Sequence, residues 1–103
     1  MEPRTTREVA LDIIVSEQIT VTSGAAIGIT AALLSDPPKN YAIIQVRNAD
    51  IMYRLDGTDP DATTGAQIFA GVTETIKGIN NLRRLRMIAP GGDATVFIQL
   101  TRT

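Results

Sequence analysis

The sequence predicts an all-β domain, an antiparallel sandwich or jelly roll of about seven to eight short strands. Apolar and polar residues alternate over several short stretches, the period of a half-buried strand. Turn-forming clusters such as Asp36-Pro37-Pro38 and Pro90-Gly91-Gly92-Asp93 separate those stretches. No long segment repeats with the 3.6-residue period of an amphipathic helix.

From Glu8 to Val21 the apolar set Val9, Leu11, Ile13, Val15, Ile19 and Val21 keeps one parity, which predicts one long strand, or two joined at Ser16-Glu17-Gln18. Residues 1–7 precede this pattern and read as an N-terminal arm. Ser23-Gly24 interrupts the alternation. Ala25 to Leu34 is then read as a strand on the spacing of Ile27, Ile29 and Ala31, with a helical turn over Thr30–Leu34 as the alternative. Tyr41–Arg47 is a strand with Ala42, Ile44 and Val46 on one face. Asn48-Ala49-Asp50 turns the chain, and Ile51–Leu55 returns as its expected hairpin partner. The stretch Asp56–Gly65 is rich in turn formers and reads as a surface loop. Short strands are expected around Gln67–Ala70 and Glu74–Ile79. Leu82–Ala89 and Ala94–Thr101 are expected to pair as a hairpin across Pro90–Asp93, with Val96, Ile98 and Leu100 facing the core.

The 103 residues are the length of one domain, taken here as spanning 1–103. Apolar residues make up 44% of the chain, within the globular range. The only aromatics are Tyr41, Tyr53, Phe69 and Phe97, so the core must be built from aliphatic side chains. Cysteine is absent, which removes disulfides, thiolate nucleophiles and sulfur-ligated metals. Histidine is absent as well, and with it the commonest general base and transition-metal ligand. A net charge of −1 provides no field for nucleic acid or an anionic membrane. No apolar run is long enough to span a bilayer, and the start lacks the apolar segment of a signal peptide. The expectation is a protein made in the cytoplasm, without catalytic activity, cofactor, metal, nucleic acid or membrane partner.

Several groups invite a functional reading and have a plainer one. Asp56, Asp59 and Asp61 could offer oxygens to Ca²⁺, but Gly57 follows the first aspartate directly and Pro60 stiffens the middle, unlike an EF-hand. These residues are expected to form a metal-free turn, with Gly57 at positive φ. Lys77, Arg83, Arg84 and Arg86 are the basic concentration. Arg84 and Arg86 are expected on one face of a strand, as a solvated edge or as a dock for an acidic protein surface. Ile14, Ile43 and Phe97 are more informative. The alternation places these apolar residues on polar faces, where hydrophobic groups mark interfaces when they gather.

The middle third of the chain carries a resemblance. Ile51-Met52-Tyr53-Arg54-Leu55-Asp56-Gly57-Thr58-Asp59-Pro60, followed by Thr64-Gly65, is similar to the Y-x-x-D-G-x-x-P hairpin of the Ig-like domain at the C-terminus of chitobiases. It resembles still more a group of small proteins of tailed bacteriophages that share a Y-R-x-D-G-T-x-P loop. In these the loop continues after the proline as T-A-T-T-G; Tyr53, Arg54, Asp56, Gly57, Thr58, Pro60, Ala62, Thr63, Thr64 and Gly65 carry the match, and Asp61 departs from it where threonine is expected. The resemblance implies an Ig-like or jelly-roll virion component that decorates and cements the head. It would be homo-oligomeric or lattice-bound and would contact the major capsid protein or another virion protein. A tail, collar or baseplate component, or a carbohydrate-binding Ig-like module, are the alternatives. The last is disfavoured by the absence of tryptophan.

Overall fold

The alternation after Ile13 folds as β1 (Val15–Val21), which sends Val15, Glu17, Ile19 and Val21 inward and Ser16, Gln18 and Thr20 outward. The computed structural model describes residues 13–35 and 38–102. The expected arm at 1–7, the start of the long strand at 8–12 and the Asp36-Pro37 turn lie outside the described residues. Within them β1 runs through Ser16-Glu17-Gln18 without a break.

Six further strands and two short helices follow: α1 (Ala31–Ser35), β2 (Tyr41–Arg47), β3 (Ile51–Arg54), β4 (Ala66–Ile68), β5 (Thr73–Lys77), α2 (Ile79–Arg84), β6 (Arg86–Ile88) and β7 (Ala94–Thr101). They form two antiparallel sheets, a four-stranded one ordered β1-β7-β2-β5 and a three-stranded one ordered β4-β3-β6. The fold is therefore all-β and sandwich-like, as the alternation predicts. A single bridge between Ile27 and Met87 continues the smaller sheet beyond β6.

The core between the sheets is aliphatic. Ala42, Ile44 and Val46 of β2 and Val96, Ile98 and Leu100 of β7 are fully buried, and Ile51, Leu82, Leu85 and Met87 close over them. None of the four aromatics belongs to this buried set; Phe69 is 59% exposed and the other three are partly exposed. Tyr53 packs against the edge of this core, and Tyr41, Phe69 and Phe97 are left partly or largely at the surface, where aromatic residues are enriched in interfaces.

The pairing of the strands departs from the sequence reading in three places. The expected hairpin between β2 and β3 does not form: β2 pairs with β7 and β5, and β3 pairs with β4 and β6 in the other sheet. Asn48 takes a left-handed conformation, φ 77°, and donates from Nδ2 to Thr95 Oγ1 at 2.9 Å, so 48–50 arches between sheets. The reason lies in packing, because Ala42, Ile44 and Val46 are covered best in the middle of the larger sheet.

The expected Leu82–Ala89/Ala94–Thr101 hairpin is also wrong. Leu82–Arg84 is helical, β6 joins the smaller sheet, and β7 sits between β1 and β2. Leu82 breaks the parity of Leu85, Met87 and Ala89, which are buried as a strand's inward set. Spaced three residues from Ile79 and Leu85, it keeps a helical period instead. Gly78 at φ 99° redirects the chain into α2, and the Asn81 amide donates to Lys77 O at 2.8 Å. Finally, the expected strand over Ala25–Leu34 reduces to the Ile27 bridge, and residues 31–35 take the helical alternative. Glu17 holds this segment, its carboxylate accepting from Thr30 N at 2.9 Å and Thr30 Oγ1 at 2.6 Å.

Candidate protein interface

The outer face of the four-stranded sheet is built by the residues of β1, β7, β2 and β5 that alternate with the core set. Gln45 lies opposite Phe97 and Ile43 opposite Gln99 across the β2–β7 ladder. Ile43 and Phe97 are therefore diagonal neighbours, within side-chain reach of one another. Gln18 and Ser16 flank this square on β1, and Thr73 and Thr75 flank it on β5. The strand residues of this face include two charges, each towards an end: Arg47 on β2 and Lys77 on β5. Lys77 Nζ stands 5.7 Å from the Tyr41 ring centroid, and the Arg47 guanidinium donates to Gln45 Oε1 at 2.9 and 3.2 Å. The strand positions at the centre are thus apolar or amide-bearing, with the Arg47 guanidinium reaching one corner, a composition depleted in charge as interface cores are.

Two of the residues singled out from sequence, Ile43 and Phe97, come together here, both partly exposed. Ile14 is 45% exposed just before β1 and donates its backbone N–H to Leu100 O, which puts it at the end of the same sheet. The arginines do not come together. Arg84 is on α2, whereas Arg86 is on β6, donating to Asp59 Oδ1 at 2.9 Å and to Ala26 O at 3.0 Å. Their expected common strand face does not exist, because the chain changes from helix to strand between them.

Phe69 and Val72 were missed by the sequence reading. They project from the link between β4 and β5, 59% and 39% exposed. The signal was the pair Ile68-Phe69: a strand cannot bury two successive side chains on one face, and Ile68 takes the core position at 3% exposure. Beside this link is an open groove of about 510 Å³, lined among others by Asn48, Asp50, Met52, Thr63, Gln67 and Pro90. The Asp50 carboxylate is committed to the fold there, accepting from Ala70 N at 2.8 Å and from Gln67 Nε2 at 3.4 Å.

The Asp56–Gly65 loop joins β3 to β4 and is held by its own side chains. Asp56 pairs with Arg54 and accepts from Thr58 N at 3.0 Å. The Arg54 hydrogen bond, more than any other interaction, holds its carboxyl below the usual range. Asp61 accepts from the amides of Thr63 and Thr64 at 2.9 and 2.8 Å, and the Thr63 amide does most to lower its carboxyl. Asp59 holds Arg86. Pro60 is buried, and Gly65, at φ 139°, passes so close that an added Cβ would lie 2.9 Å from Tyr53 O and 3.2 Å from Pro60 Cβ. Tyr53 itself turns towards the inter-sheet space, where burial and then the charge of Glu74 raise its phenol above the ordinary value. Asp56, Asp61, Pro60 and Gly65 thus act within the loop itself, and Asp59 ties it to β6. Among the described residues no three acidic, histidine or cysteine side chains converge as metal ligands would.

Gly57 is at φ 83° with open space where a side chain would go. Gly57→Ala is therefore expected to cost about 1 kcal/mol, through backbone strain alone. Urea denaturation measures this, and a chelator is expected to leave the melting temperature of the parent protein unchanged.

No family model, no curated protein and no solved structure matches this chain.

Proposed function

We propose that the protein is a non-enzymatic structural component of a tailed-phage virion, a capsid decoration protein that binds the head and stabilises it. The observation that carries the reading is the charge-depleted centre of the larger sheet's outer face, with Ile43 and Phe97 side by side on it. Such a face gains free energy when a neighbour covers it. Many copies, each bound weakly, would together resist outward pressure on a shell. The Tyr53–Gly65 loop supports the reading by its resemblance to small phage proteins, although its residues act in the fold. A tail, collar or baseplate position would use the same face. The major capsid protein, or another protein of the particle, is the partner this reading requires.

A carbohydrate-binding module is the second reading. Its support is the same face, where Phe97 and Tyr41 stand on the sheet with Gln18, Gln45 and Gln99, and such amides can hydrogen-bond sugar hydroxyls. Binding to a panel of polysaccharides, abolished by Phe97→Ala, would favour it.

Phe97→Asp tests the leading reading. The side chain points away from the core, so the isolated domain is expected to keep its circular dichroism spectrum. Its copy number on purified particles is expected to fall at least about ten-fold, since burying an unpaired carboxylate costs on the order of 1–3 kcal/mol. Normal occupancy by the folded variant would remove this face from the assembly.

A further inference from the structure

The centre of the larger sheet's outer face has an approximate two-fold pattern. The central square consists of Gln45 opposite Phe97 and Ile43 opposite Gln99. One diagonal is apolar, Ile43 to Phe97, and the other is two amides, Gln45 to Gln99. A rotation by half a turn about the buried pair Ile44·Ile98 exchanges Ile43 with Phe97 and Gln45 with Gln99. The same rotation places Ser16 of β1 on Thr73 of β5, hydroxyl on hydroxyl. When two such squares meet face to face about a two-fold axis along either diagonal, apolar groups meet apolar groups and amides meet amides. Gln45, whose Oε1 accepts from Arg47, keeps its amide N–H donors for a facing Gln99, and Gln99 carries both donors and an acceptor. No strand position of the square is itself charged, and the one guanidinium that reaches a corner, that of Arg47, is bonded to Gln45.

The edges of the sheet point the same way. β1 and β5 are its two edge strands, and each carries a glutamate on its inward parity: Glu17 opposite Ile98, and Glu74 opposite Ile44. An inward charge on an edge strand opposes the addition of another strand, because a new neighbour would enclose it. At the β5 edge Glu74 disfavours strand addition in this way, and at the β1 edge Glu17 is engaged by Thr30 of the neighbouring segment. Four strands about 4.8 Å apart, of seven, eight, seven and five residues at about 3.4 Å per residue, give a flat footprint of roughly 450 Å². That is below the roughly 800 Å² per partner of a standard interface and is the size of a weak, transient contact.

We propose that this face is a self-association surface, and that its partner is a second copy of this chain packed face to face about a two-fold axis through the Ile43–Phe97/Gln45–Gln99 square. The proposal rests on the reading above that this face is covered in the assembly, and it names what covers it. An interface of this size gives a weak dimer, with dissociation in the micromolar range, so the state depends on concentration.

Sedimentation equilibrium of the purified full chain tests this over a concentration series. The mass is expected to rise from the 11.1 kDa of one chain towards twice that value. Gln99→Glu, a change at a partly exposed outer position, is expected to weaken association about ten-fold or more while leaving the circular dichroism spectrum intact. Phe69→Ser, outside the central square in the link before β5, is expected to leave association unchanged. A chain that stays monomeric into the high micromolar range overturns the proposal, as does a dimer that Phe69→Ser abolishes and Gln99→Glu does not. The functional reading fails separately. A monomer whose Phe97→Asp variant is lost from particles sinks the dimer and keeps the virion role. A dimer whose Phe97→Asp variant retains full occupancy on particles keeps the self-association and sinks the role assigned to the face.

Discussion

Ile98→Ala is expected to lower the free energy of unfolding by about 2–5 kcal/mol, the cost of removing a buried isoleucine and leaving a cavity behind. Ile98 is fully buried in the middle of β7, opposite Glu17 on one side and Ile44 on the other. It is held from both flanks and covered by the smaller sheet, so neighbours have little freedom to collapse into the space. A domain of this length has a total stability of only about 5–15 kcal/mol, and each kcal/mol moves the melting temperature by roughly 4–8 °C. A fall of ten degrees or more is therefore expected in a thermal melt followed by circular dichroism. Gln99→Ala, at a partly exposed position on the outer face of the same strand, serves as the control and should change little. Equal effects from the two substitutions would mean that the inward and outward sets of β7 are reversed.

The second large effect is expected at a residue that does no visible work in the sequence. Gly28 follows Ile27, whose backbone N–H donates to Met87 O at 3.0 Å and whose carbonyl accepts from Met87 N at 2.8 Å. A Cβ added at Gly28 would overlap the carbonyl oxygen of Leu85, a backbone atom that cannot swing aside as a side chain could. Gly28→Ala must push the 26–28 segment off the edge of the smaller sheet, and about 1–3 kcal/mol of stability is expected to be lost. Hydrogen exchange adds a local readout, because the amides of Ile27 and Met87 should lose protection together. The contrast with Gly57→Ala is informative. At Gly57 the penalty comes from φ with empty space around it, whereas at Gly28 it comes from contact.

The candidate face was partly legible beforehand. Ile43 and Phe97 could be marked as apolar residues out of phase with the core because a strand's two-residue period assigns faces without knowledge of its neighbours. That they are diagonal neighbours could not be read, since β2 and β7 are separated by almost half the chain and only their register brings the residues together. The charge-depleted centre was hidden for the same reason, being spread over four strands. Arg84 and Arg86 show the opposite failure. An apparent cluster two residues apart was divided when α2 gave way to β6.

What the sequence by itself determined was local. It determined the all-β class, the aliphatic core, the inward set Val96, Ile98 and Leu100, the parity of β1 and β2, and the positive φ of Gly57. Each of these follows from the period of two, from composition or from the steric freedom of one residue. The tertiary structure alone decided which strands pair. A three-residue turn at Asn48–Asp50 and the turn at Pro90–Asp93 are both compatible with hairpins, yet each crosses between sheets instead. A hairpin would satisfy the backbone equally well. Crossing does more, because it places the fully apolar inner faces of β2 and β7 side by side and covers them with Ile51, Leu85 and Met87 from the opposite sheet. Burial of that non-local apolar area, which no local window of the sequence contains, outweighs the preference of neighbouring strands to pair.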